Sequence, residues 1–116
     1  MPNLSYNVIA YRVHFYGHSQ MTSDRDKKAA IFFTGNEEPP AGPVVARVYF
    51  YSAEVAESKQ DSLDARGRPE GHMSISEIAA ILDMLRYEKP IRIFWDDAAK
   101  RLSLETGQEP VGEQEA

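Results

Sequence analysis

The chain has 116 residues, 42% of them hydrophobic, which is enough for one compact core and excludes wholesale disorder. It contains no cysteine, so disulfide frameworks, thiolate zinc sites and cysteine nucleophiles are excluded. Its formal net charge of −5 speaks against nucleic-acid binding driven by bulk charge.

The start, Met1-Pro2-Asn3-Leu4-Ser5, has neither a basic nor an apolar region of the secretory type, and no apolar run approaches membrane-spanning length. The expected setting is therefore cytoplasmic. Residues 6–16 are rich in β-branched and aromatic types and read as a first strand. Alternation puts Ile9, Tyr11, Val13 and Phe15 on one face, and Arg12, His14 and Tyr16 on the other. Lys28 to Thr34 is a short second strand, closed by Gly35-Asn36 and the Pro39–Pro43 cluster. Val44 to Ala53 is the clearest strand, with Val44, Ala46, Val48 and Phe50 alternating against Val45, Arg47, Tyr49 and Tyr51.

The stretch 54–72 is polar and reads as a long loop, or a loop holding a short helix near Glu54–Gln60. Ser74-Ile75-Ser76-Glu77 then has the form of a capping box. A helix follows to about Tyr87, with Ile75, Ile78, Ala79, Leu82 and Leu85 on one stripe. Pro90 disfavours helical Lys89 and ends it. Ile91–Trp95 and Arg101–Thr106 form a closing hairpin around the turn at Asp96-Asp97. Residues 107–116, acidic and without apolar content to bury, read as a disordered tail after a single domain spanning 1–106.

The order βββαββ predicts a two-layer α+β domain: a five-stranded antiparallel sheet with one helix packed on one face. Five strands make a sheet roughly 20–24 Å wide. A thirteen-residue helix, ~20 Å by ~10 Å, covers one face and not both. The uncovered face would carry Arg12, His14, Tyr16, Arg47, Tyr49, Tyr51 and Arg92, a composition typical of recognition surfaces. The same residues also serve as cross-strand pairs with no ligand involved.

No chemistry-bearing motif competes with that face. His14, His18 and His72 fit no zinc spacing, and no nucleophile elbow or phosphate-cradling glycine loop occurs. Asp96-Asp97 reads as turn acids, and no cofactor motif is present. The leading expectation is a non-enzymatic protein-interaction module, a dimer that self-associates through this face or an edge strand. The alternative is single-stranded nucleic-acid binding on the same face, where rings stack bases and arginines meet phosphate. A third reading is a small-molecule or enzymatic site beneath the 54–72 segment.

Overall fold

The computed structural model describes residues 3–17, 27–35, 44–88 and 90–106. Among these described residues there are seven strands, not five. They are β1 (Leu4–Phe15), β2 (Ala29–Gly35), β3 (Val44–Tyr51), β4 (Ser62–Leu63), β5 (Pro69–Ser74), β6 (Ile91–Asp96) and β7 (Arg101–Thr106). Two short helices, α1 (Ala53–Glu57) and α2 (Ile78–Tyr87), complete the described secondary structure together with a 3₁₀ turn over Ile75–Glu77.

The strands form one curled sheet in the order β4-β5-β3-β2-β1-β6-β7. It is mixed, because β5 runs parallel to β3 while every other pair is antiparallel. The expected five-stranded antiparallel layer is therefore corrected to a seven-stranded half-barrel. The 54–72 segment holds the short helix expected near Glu54–Gln60, as α1, and is a crossover rather than a plain loop: α1 leads to β4, and a tight turn returns the chain as β5. Gly67 sits at φ +78 in that turn, a left-handed conformation glycine adopts without a Cβ clash. The described part of the hairpin after β3 uses a two-residue β4, so its strand character comes from pairing with Pro69 and Glu70 rather than from its own sequence.

Curling brings the two ends of the sheet together. A Cβ added to Gly71 on β5 would sit 3.4 Å from the Leu102 side chain on β7, and β5 and β7 are in contact. Asp61 ties them. One carboxylate oxygen accepts the His72 backbone N–H at 2.8 Å, and the other accepts the Leu102 backbone N–H at 3.0 Å.

The concave side holds the core. Ile31, Phe33, Ala46, Val48, Phe50, Ile93, Trp95 and Leu102 are buried in one cluster. Trp95 is fully inside, and its indole N–H donates to Asp97 at 3.1 Å. Helix α2 rests against this cluster through Ile78, Ile81, Leu82 and Leu85, none of which is fully buried. Its start departs from the expected capping box: the Ser74 hydroxyl accepts from the Ser76 N–H at 3.3 Å, which sets up a 3₁₀ turn before the α-helix. Among the described residues no helix is long and apolar enough to cross a membrane. The tail at 107–116 and His18 lie outside the described residues.

Candidate interaction surface

All seven face residues named from the sequence lie on the convex side, away from the core. Cross-strand register aligns them in rows. Arg12 is opposite Phe32, Phe32 opposite Arg47, and Arg47 opposite Glu70. His14 is opposite Ala30, Ala30 opposite Tyr49, and Tyr49 opposite His72. Arg92 lies farther along, exposed between Asn7 and Glu105. Phe94, half-buried, shares this side, opposite Ser5 and Ser103.

The face divides into two halves. The β3–β5 half is covered by the chain itself. Tyr51 is only 2% exposed, stacked on His72 with 5.9 Å between centroids, and Lys59 Nζ lies 4.9 Å from its ring centre. Arg47, its side chain 18% exposed, donates to Asp64 at 2.6 Å and lies 3.5 Å from Glu70. Asp64 is the hub of this half. One carboxylate oxygen accepts the N–H groups of Arg66 and Arg68, at 2.8 and 2.9 Å, and the other accepts Arg68 Nε at 2.8 Å. Burial pushes the Asp64 carboxyl up, but hydrogen bonds from the Arg68 and Arg66 backbones and the Arg68 guanidinium outweigh it and hold the group below its ordinary range. For Arg47, burial pulls the guanidinium down, while the Tyr49 hydroxyl and the charges of Glu70 and Asp64 raise it above its ordinary value. The Arg47 Nε–H is buried and has no hydrogen-bond partner among the described residues. Arg47 and Tyr51 therefore serve the fold rather than an open platform, because acids from the 54–72 segment dock onto this half. A polar loop, with or without a short helix near Glu54–Gln60, gives no sequence signal for where Asp61 and Asp64 dock.

Among the described residues no segment covers the β1–β2 half. Arg12, His14 and Tyr16 are exposed. Arg12 lies over the Phe32 ring at 5.5 Å, His14 meets the same ring edge-on at 4.9 Å, and Lys27 Nζ lies 4.0 Å from the centre of Tyr49. The described acids of the convex side beyond β3, namely Asp61, Asp64 and Glu70, are each engaged by His72, Arg47 or Arg68.

Strand β1 supplies a feature that composition did not reveal. It pairs with β6 only over Leu4–Asn7, while Val8–Phe15 pair with β2 on the other side. Two local causes separate these halves. The β1–β2 register shifts between Val8 and Ala10, so a bulge at Ile9 redirects the strand. Strand β6 begins right after Pro90, which has no N–H to extend the ladder. Among the described residues, no strand pairs with the side of Ile9–Phe15 that faces away from β2. Ile9 and Phe15, expected in the core, are 69% and 67% exposed along this edge, while Tyr11 and Val13 pack against the core. A cleft of about 700 Å³ lies beside the edge between Val8–Tyr11 and the end of α2 at Leu85, Arg86 and Glu88. Among the described residues no group of three or more acids and histidines is placed to hold a metal.

Comparison with protein-family models finds no match, and comparison with curated proteins and with solved structures finds none either.

Proposed function

We propose that this chain is a non-enzymatic protein-interaction module that self-associates through β1 and the open half of the convex face beside it. One observation carries the reading: seven consecutive strand residues, Ile9 to Phe15, present an edge that no strand among the described residues pairs, with two large apolar side chains exposed on it. An edge of that length is a template for pairing with another chain unless charges, proline or a covering element block it. Along the edge itself Arg12 is the only Asp, Glu, Lys or Arg, and no proline interrupts it. Light scattering coupled to size exclusion over a wide concentration range tests the reading. A concentration-dependent dimer mass supports it, and a monomer mass at every concentration ends it.

A second reading draws on the cation–ring contacts of the convex side. Arg12 on Phe32 and Lys27 on Tyr49 form a cation–ring surface suited to single-stranded nucleic acid, in which bases stack on rings or guanidinium planes. Anisotropy of a labelled single-stranded oligonucleotide tests it. Absence of binding at ~50 mM salt removes it, because phosphate contacts are strongest there.

A further inference from the structure

We infer that two copies of the chain join edge to edge through β1, antiparallel, with the two-fold axis at Val13. The inference rests on the self-association reading and specifies its geometry.

The backbone sets the first constraint. Tyr16 N–H donates to Lys28 O at 2.9 Å, so the Tyr16 backbone is directed toward β2, while the Lys28 N–H goes to Phe50 O on β3 at 2.7 Å. In an antiparallel ladder, bonded and non-bonded pairs alternate. Arg12 and His14 thus direct their backbone groups toward β2, where they face Phe32 and Ala30. Tyr11, Val13 and Phe15 direct theirs to the open side. A second β1 placed antiparallel with Val13 opposite Val13 pairs all three of these residues: Val13 with the partner's Val13, Tyr11 with the partner's Phe15, and Phe15 with the partner's Tyr11. That closes about six backbone hydrogen bonds, whereas moving the axis to His14 would leave Tyr11 facing the partner's Gly17, outside the strand, and moving it to Arg12 would set Phe15 against the partner's Ile9, where the bulge interrupts the ladder.

The side chains favour the same register. Phe15, two-thirds exposed in the single chain, comes to lie against the partner's Tyr11 on the concave side, an aromatic cross-strand pair. On the convex side Arg12 comes opposite the partner's His14. Moving the axis to Arg12 would set two guanidiniums directly opposite each other, a destabilising arrangement. A two-fold pairing of this kind closes on itself, so it gives a dimer and not a fibre.

The absence of native cysteine makes the geometry directly readable by cross-linking. In this register Arg12 and the partner's His14 form a non-bonded pair with Cα atoms about 4.5 Å apart, within disulfide reach. Arg12 to the partner's Arg12, offset by two positions, is roughly 8 Å, and the same holds for His14, beyond that reach. The full-length variants Arg12→Cys and His14→Cys are oxidised separately and as an equal mixture, then separated without reductant. The expected result is a cross-linked dimer in the mixture at about tenfold the yield of either variant alone. Val13→Cys, opposite itself at about 5.5 Å, is expected to cross-link alone. Efficient self-cross-linking of Arg12→Cys or His14→Cys overturns the register. A dimer mass by light scattering with no cross-link in any variant overturns the edge pairing while leaving self-association in place. A monomer mass at all concentrations overturns both. Emission of Trp95, the single tryptophan, verifies that each variant is folded.

Discussion

The Asp61 carboxylate accepts the backbone N–H of Leu102 at 3.0 Å, joining positions at opposite ends of the sheet order. Its other oxygen holds the His72 N–H, so one side chain stands where a continuous ladder between β5 and β7 would otherwise run. Asp61 thereby keeps the half-barrel curled over its core and satisfies two amides that a strand edge would leave unpaired.

Asp61→Ala is expected to lower stability by about 2 kcal/mol, because two amides lose their acceptor at a partly buried seam. Hydrogen exchange at the Leu102 and His72 amides should accelerate more than at Phe33 or Val48. Asp61→Asn keeps one carbonyl acceptor and should fall between the two. Unchanged protection at Leu102 in the alanine variant would contradict the role of Asp61 as a tie.

Asp64 predicts an acid-sensitive component of stability. Its carboxyl is held below the ordinary range in the folded chain, so the unfolded chain binds the extra proton first as pH falls. The stabilisation is complete above the unfolded value, about 3.9, and is lost as pH drops through the lower folded value. Melting temperatures followed from about pH 6 down to about pH 2 should show an acid limb that is shallower in Asp64→Asn. The substitution should also lower stability at neutral pH, since Arg47 and Arg68 would lose their shared carboxylate. An identical acid limb in both proteins would exclude Asp64 as a contributor.

How far the fold was legible follows from the same residues. Period-two alternation identified β1, β2, β3 and the β6–β7 hairpin, and the apolar stripe with Pro90 delimited α2, because those signals are local. Strand β5, Pro-Glu-Gly-His-Met-Ser, has no β-branched residue and begins with proline. It is a strand because β3 offers it a parallel edge from Arg47 to Tyr51, a tertiary cause with no local trace. Alternation also put Arg12, His14, Tyr16, Arg47, Tyr49, Tyr51 and Arg92 on one side. It could not show that Asp61, Asp64 and Lys59 return to cover half of it. Ile9 was misplaced because a bulge breaks the alternation one residue before the strand resumes.

Two backbone positions predict opposite effects of a single change. Gly67 holds φ +78, and Gly67→Ala is expected to cost about 1–2 kcal/mol, although nothing lies within 4 Å of a Cβ added there. Lys100 holds φ 54 in the β6–β7 turn, where glycine is unstrained, so Lys100→Gly should gain up to about 1 kcal/mol. The exposed ion pair it gives up with Asp97 adds little in water. Urea titrations read by Trp95 emission measure both, and a stabilising Gly67→Ala would show that the turn relaxes to another conformation.

Tyr51 and Arg12 share the convex side yet should respond to truncation in opposite ways. Tyr51 is sealed beneath Lys59 against His72, so Tyr51→Ala removes a buried ring and is expected to cost about 3 kcal/mol. Arg12 is exposed, and its contact with the half-buried Phe32 ring is a surface cation–π pair, so Arg12→Ala should change monomer stability by less than about 1 kcal/mol. What Arg12→Ala should change is association. Without the guanidinium, the register with Arg12 opposite Arg12 is no longer penalised, and Val13→Cys should lose selectivity for its self-cross-link in that background. Comparing the folded fraction with the cross-linking pattern separates the two roles. Equal stability losses for the two alanine variants would mean that both halves of the sheet are sealed alike, and that β1 offers no open surface to a second copy.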